Sequence, residues 1–180
     1  MPLVQSATVD PKQFRKACGK FVTGVTIVTT RGADGAPHGM TANSFTSVSL
    51  DPPLVLFCAY RKIRLLEHFL QGGYFGVNIL SEHQQELSNR FAKAGINRFA
   101  GVEWYEGKTG VPLLPGVLAT LECRLDQTSE AGDHQILIGE AQYLGFREGT
   151  PLAYFGGGYS EVIPADARSR LHRDVFIEFL

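Results

Sequence analysis

"GMTANSFTSVSLDPP", residues 39–53, decides how this chain is read. It holds two Thr and three Ser among a few apolar residues, then meets Pro52 and Pro53. The composition predicts a strand over 39–50. The two prolines are expected to end its pairing, because proline supplies no backbone donor. The hydroxyls leave two readings open. One is an ordinary strand with its polar face to solvent; the other is a wall built to hold a polar ligand.

The flanking segments extend the β reading. Upstream, "TGVTIVTT" (23–30) is rich in β-branched residues in alternation, a strand signal. Asp34-Gly35, inside "RGADGAPHG", suits a hairpin turn into the 39–50 strand. Downstream, "LVLFCAY" (54–60) is apolar throughout, which predicts burial on both faces. Further strands are expected at 74–80, 117–125, 134–146 and 152–157. Helices are predicted over 10–21, 64–73 and 81–95. The first has Asp10 as N-cap, Pro11 in its first turn and Phe14, Ala17, Cys18 and Phe21 on one face. The second is closed by Gly72. The third opens with a Ser81–Gln84 capping box and closes at Gly95. The stretch after Pro164 is read as a short amphipathic helix or a tail. Short strands with helices at the edges predict a mainly β fold: a closed or nearly closed antiparallel barrel, not alternating βαβ units.

Composition narrows the function. With 180 residues, 44% apolar and 19% charged at a net charge of -1, the chain suits one soluble globular domain. No basic excess points to nucleic acid, and no apolar run reaches the ~20 residues that span a bilayer. The N-terminal residues lack the pattern of a signal peptide, so a cytoplasmic location is expected. Cys18, Cys58 and Cys123 are odd in number and far apart, which argues against disulfides or a metal site. The five His are scattered without zinc spacing, and His68 is expected at the surface or its boundary. Ser160 lacks the frame of a nucleophile elbow, and no carboxylate pair stands out. There is no internal repeat, no GxGxxG between strand and helix and no P-loop. Two polar clusters remain. "YRKIR" (60–64) brings Arg61, Lys62 and Arg64 together, either as a solvated basic loop or as donors to a phosphate. Gly132, Asp133 and His134 begin a strand, either as an ordinary turn or as part of a ligand site.

The order of motifs resembles one family, the small flavin reductases with an FMN-binding split barrel. The resemblance rests on "FRKACGKFVTGVTIVTT", "GMTANSFTSVSLDPPLVLFC", "YFGVNILSEHQQELSNRFA", "RFAGVEW", "GVPLLPGVLATLECRL", "AGDHQILIGEA" and "PLAYFGGGY", in register over roughly residues 10–160. It implies a single domain over 1–180, with its core at about 10–160 and 161–180 as tail. It implies a six-stranded antiparallel Greek-key split barrel with peripheral helices, paired as a homodimer. The activity implied is an NAD(P)H:flavin oxidoreductase that passes hydride from NADH or NADPH to FMN or FAD. Reduced flavin would go to a separate flavin-dependent monooxygenase; no nucleic acid or membrane is involved. The site implied along the ring edge is Thr41, Ala42, Asn43 and Ser44. Ser47 and Ser49 would line the ribityl and phosphate side, and Tyr60, Arg61, Lys62 and Arg64 would close over the phosphate. Phe91 and Ala92 would pack nearby, His134 would position the nicotinamide, and Tyr159 would shield the pocket. No side chain need act as a strong base, because the cofactors carry the reaction. The "AYRKIR" loop departs from relatives that carry small hydroxyls there, and Arg168, Arg170 and Arg173 lie beyond the resemblance. Two alternatives stay open: a tight FMN-binding electron-transfer or sensing protein, and a reductase of another cofactor such as a corrin or quinone.

Overall fold

The computed structural model describes residues 9–163, so the readings made of the 164–180 tail and its arginines lie outside the described residues. The chain enters through α1, Pro11–Cys18. Asp10 caps it as expected: its Oδ1 accepts from Lys12 N at 2.9 Å and Gln13 N at 3.1 Å. No residue of α1 is buried, and Phe14 on its apolar face is exposed.

Seven strands form one antiparallel sheet: β1 (Thr26–Arg31), β2 (Pro37–Ala42), β3 (Thr46–Leu50), β4 (Pro53–Tyr60), β5 (Tyr74–Ile79), β6 (Ala119–Ala131) and β7 (His134–Phe146). Their order across the sheet is β2-β1-β5-β6-β7-β4-β3. The two edge strands, β2 and β3, are neighbours in the chain, with only Asn43–Phe45 between them. Laid flat, seven strands would set the edges about 29 Å apart, at ~4.8 Å per strand. The step from Ala42 to Thr46 reaches about 14 Å at most. The sheet must therefore curl until its edges meet. Ser44 fastens the join: Cys58 N donates to Ser44 Oγ at 3.0 Å, and the hydroxyl donates to Cys58 O at 3.3 Å.

Several expectations change in detail. Where six strands were expected, the sheet has seven, because the 39–50 segment bends at Asn43–Phe45 and pairs on both sides of the bend. Pro52 and Pro53 do not end the pairing of that segment. Asp51 and Pro52 make the β3–β4 turn, and Pro53 opens β4 opposite Leu50. β4 buries Val55, Phe57 and Ala59 on one face, whereas Leu54, Leu56 and Cys58 on the other are half-buried.

α2 (Leu65–Gly72) ends at Gly73, whose φ of 68° makes it the capping glycine in place of Gly72. The Ser81–Gln84 capping box forms and opens a 3₁₀ turn, Glu82–Gln84, which runs into α3 (Gln85–Ala92). The chain leaves α3 at extended Lys93, so Gly95 serves the following turn. Two clusters fill the interior. One holds Phe57, Phe69 and Phe75 in edge-to-face contact at 5.2 and 5.1 Å. A β-carbon at residue 139 would lie 2.4 Å from the Phe75 ring, which requires glycine at 139. The second cluster joins Ile27, Leu80, Phe91, Phe99 and Leu114. β1 lies between the two and is buried from Thr26 to Thr30.

Glu122 is 5% exposed, and its carboxylate accepts from Lys108 N (3.0 Å), Thr109 N (2.6 Å) and Thr109 Oγ1 (2.7 Å). These bonds fold the 107–110 loop onto the sheet. Glu122→Ala is expected to cost about 3 kcal/mol in urea unfolding, because buried charged-group hydrogen bonds are lost and their donors stranded. An unchanged midpoint would show that the loop holds without the carboxylate.

Nor are the histidines all scattered. His38 on β2 and His68 on α2 stack with centroids 3.9 Å apart and planes 9° off parallel. Burial, then the neighbouring His68, lower the His38 pKa from 6.5, against the opposing pull of Asp34 at 3.8 Å. Below 6.5 the unfolded chain takes the proton that folded His38 resists. Stability therefore falls as pH drops from 6.5 through the lowered folded value. His38→Phe keeps a ring in the stack and is expected to flatten this acid-side loss in unfolding titrations. An identical pH slope in the variant would clear His38 of the effect.

Candidate functional site

Closing the barrel edge also builds a cleft of about 320 Å³. One wall is the end of β2 and its bend, from Met40 to Ser44. A second wall comes from β4 and β7. His134 pairs with Tyr60 in register, and the rings lie 5.6 Å apart at 59°. The third wall is the end of α3, with Phe91 and Ala92, and the loop after it, with Arg98. Gly39 lets β2 approach α3: a β-carbon there would lie 3.0 Å from Val28 O and 3.1 Å from the Phe91 ring.

Of the predicted residues, the fold gathers Thr41, Ala42, Asn43, Ser44, Tyr60, Phe91, Ala92 and His134 around this cleft. Tyr159 lines an adjoining cleft of about 440 Å³ that shares Thr41, Asn43 and Ala92 with the first. Its hydroxyl reaches Ser88 Oγ at 2.8 Å and Asn89 Oδ1 at 2.9 Å, which ties the antiparallel hairpin of residues 153–160 to α3. Ser47, Ser49, Arg61, Lys62 and Arg64 lie outside both walls. Arg61 is turned instead to Glu130 on the β6–β7 hairpin, at 3.1 Å.

The hydroxyls of the opening stretch prove to be largely spent on the protein. Thr41 Oγ1 donates to Ser88 O at 2.6 Å and holds α3 against β2. Ser44 is committed to Cys58, and Thr46 Oγ1 donates to Ser47 O at 3.2 Å. Asn43 differs, being exposed at the bend where the two clefts meet. At the other wall His134 Nδ1 lies 2.7 Å from Asp133 Oδ1. That hydrogen bond holds the Asp133 carboxyl below the usual carboxylate range. It also orients the imidazole, leaving Nε2 as the free ring atom.

Sequence reasoning missed Met40, Cys58, Ile63 and Arg98 as cleft residues. Met40, Cys58 and Ile63 are apolar and carry no chemical signal. Arg98 does have one, which corrects the reading that the chain holds no internal repeat: the tetrapeptide Asn-Arg-Phe-Ala occurs at 89–92 and again at 97–100. Phe91 and Phe99 from the two copies pack edge to face, with centroids 4.9 Å apart.

The cleft therefore offers an apolar slot, a free carboxamide, an aromatic–imidazole pair and a half-buried guanidinium. These fit a planar, polar-edged, anionic ligand. Among the described residues no group of three His, Cys, Asp or Glu is placed to hold a metal ion. Cys123 is buried, with its thiol pushed up to about 12 by burial and by Glu122, which leaves it a packing residue. A further cleft of about 380 Å³ surrounds Arg31, but its guanidinium already serves Gly110 O, Gly35 O and Glu106.

The model of the family "Flavin reductase like domain" matches residues 18–162. A protein of Rhizobium meliloti (strain 1021), described as a probable flavin reductase, is 47% identical over 150 residues. Those residues cover 83% of this chain and 48% of that protein, so the chain spans about half its length. The flavin-dependent monooxygenase reductase subunit HsaB of Rhodococcus jostii (strain RHA1) is 39% identical over 178 residues, covering 98% of this chain and 91% of HsaB. Among solved structures, the Streptomyces globisporus C-1027 NADH:FAD oxidoreductase SgcE6, in complex with NAD and FAD fragments, superposes with a TM-score of 0.81. It is 39% identical and covers 90% of this chain and 99% of its own.

Proposed function

The chain belongs to the flavin reductase like family, and from that premise we propose that it oxidises NADH to reduce FMN or FAD for a separate monooxygenase. The observation that carries this reading is the meeting of Met40–Ser44, Tyr60 and His134 around one cleft. The residues suit a flavin. Met40, Ile63 and Phe91 supply apolar wall for a planar ring, and Asn43 with the β2-end backbone supplies donors and acceptors for its polar edge. When bound, a flavin supplies the hydride acceptor, and a nicotinamide supplies the hydride. The protein's part is to hold both in near-attack geometry, which by itself can contribute several kcal/mol. Asp133 holds the His134 ring at the cleft mouth, where it positions the nicotinamide. Tyr159, tied to α3, bounds the second lobe, which has room for the rest of a nucleotide. The activity draws on a nicotinamide pool, which agrees with the cytoplasmic expectation, and no helix among the described residues is long and apolar enough to cross a membrane.

We also infer a homodimer. The outer face of the barrel carries Leu54, Leu56 and Cys58 on β4 opposite Ile136 and Ile138 on β7, all half-buried. Val48, at the register shift of the neighbouring β3, is exposed. An apolar sheet face of this kind asks for a cover, and it borders the cleft through Cys58.

NADH with catalytic protein and excess FMN, FAD or riboflavin should lose absorbance at the nicotinamide band. If no flavin raises the rate above the blank, the reductase reading fails; a chain that keeps FMN through gel filtration without turnover would be a binding protein instead. His134→Ala is expected to slow turnover about tenfold or more while flavin affinity changes less than about threefold, as befits lost positioning. The reverse pattern would remove His134 from the nicotinamide role. Light scattering should give twice the chain mass, and Leu56→Glu should give one. A wild-type monomer at all concentrations would rule the dimer out.

A further inference from the structure

The two copies of Asn-Arg-Phe-Ala place their arginines in opposite roles. Arg90 is consumed inside the protein. Its Nε donates to Arg98 O at 2.7 Å, and its Nη2 reaches Asn97 O at 3.5 Å and also Ala100 O. It thereby folds the 97–100 loop, which Asn97 Oδ1 tightens by accepting from Phe99 N at 3.1 Å. Phe99 is 7% exposed and locks the loop onto the core. Arg98 is thus carried on a backbone fixed from both sides.

The side chain of Arg98 is fixed as well. Nε donates to Lys93 O at 2.8 Å and Nη1 to Gly39 O at 2.8 Å. A guanidinium has five N–H donors. These two bonds use two of them and leave three, including both on Nη2, on a residue that lines the cleft. Among the described residues no carboxylate lies within 4.0 Å of Arg98, although Arg31, Arg61 and Arg124 each have one. Burial alone, with no compensating anion, lowers its pKa. A half-buried cation held by carbonyls in the lining of a ligand cleft is a prepared seat for an anion.

We propose that Arg98 is the phosphate anchor of this cleft: its free guanidinium edge takes the phosphate of the flavin nucleotide and makes the site prefer FMN to riboflavin. The proposal rests on the flavin reading of the cleft and assigns within it the role that sequence reasoning expected of Arg61, Lys62 and Arg64. Phosphate suits the fork because two oxygens can accept in parallel, and a flat guanidinium held at Nε and Nη1 can turn only one edge to them. The nicotinamide nucleotide also carries phosphate, so the test must tell the two sources apart.

The full chain is titrated with FMN and with riboflavin, following flavin fluorescence, as wild type, Arg98→Gln and Arg98→Lys. The wild type should bind FMN more tightly than riboflavin, with the difference shrinking as salt rises. Arg98→Gln should weaken FMN about ten- to hundredfold, the scale of charge-assisted hydrogen bonds lost from a half-buried site, and leave riboflavin nearly unchanged. Arg98→Lys keeps the charge without the fork and should fall between them. It gives the answer by itself if circular dichroism shows Arg98→Gln unfolded. Equal loss for both flavins would make Arg98 a loop-shaping residue and overturn the proposal, as would no loss for either. A change confined to the KM for NADH would assign the guanidinium to the nicotinamide nucleotide and overturn it too. A wild type that binds neither flavin and does not oxidise NADH would overturn the reductase reading itself. Wild-type turnover with an unaltered Arg98→Gln would discard the anchor alone.

Discussion

The structure depends on a three-residue connection between the two edges of one sheet. β2 and β3 are as far apart as strands of this sheet can be in hydrogen-bonding order, yet Asn43–Phe45 is all that joins them. A chain that short leaves the sheet no choice but to close. Ser44, bonded to both backbone groups of Cys58, completes the closure where β2 has run out and β3 has not yet begun. The bend that closes the barrel is also the bend that opens the cleft. Architecture and site share these residues because backbone at a strand break is freed from the ladder and can face a ligand.

This sharing explains the hydroxyl-rich composition of 39–53. Small hydroxyl side chains can bond neighbouring backbone where strands and helices approach closely. Thr26, Thr29, Thr30, Thr41 and Ser44 all do so, to carbonyls on other elements. Such bonds satisfy groups that a bent, closed sheet would otherwise leave unpaired. The ligand then meets a wall that is already rigid, with Asn43 as its freest polar side chain. Rigidity suits a reaction in which the cofactors do the chemistry and the protein supplies distance and orientation.

Much of the fold was legible locally. The Asp10 and Ser81 caps, the Asp34-Gly35 hairpin and the presence of each long strand follow from residue chemistry within a few positions, although β6 runs on to Ala131, past its expected end at residue 125. The errors fall where local chemistry has two outcomes. Pro52-Pro53 could stop a ladder or turn it, and pairing with β4 decided for the turn. An apolar run such as 54–60 could be buried on two faces or on one, and only the layers around it decide. Gly72 and Gly73 are interchangeable caps in sequence, and backbone geometry selects the second. His38 and His68 are thirty residues apart, and their stacking needs α2 to land on β2.

The candidate site divides in the same way. Sequence by itself determined the strand segments, the residues of the β2 end and, through the order of its motifs, the family. It also marked the places where cations stand, but it ranked them by clustering, and the cluster Arg61, Lys62 and Arg64 drew the eye. Tertiary structure decides what each cation meets. The β4–β7 register sets Tyr60 and His134 side by side, Arg61 turns to Glu130 on the neighbouring hairpin, and an arginine from a repeated tetrapeptide lines the cleft. The physical reason is that a charge seen in sequence has no partner and no direction. Whether it is spent on a carboxylate, as Arg61 is, or held in reserve by carbonyls, as Arg98 is, depends on which distant segments the closed sheet brings beside it.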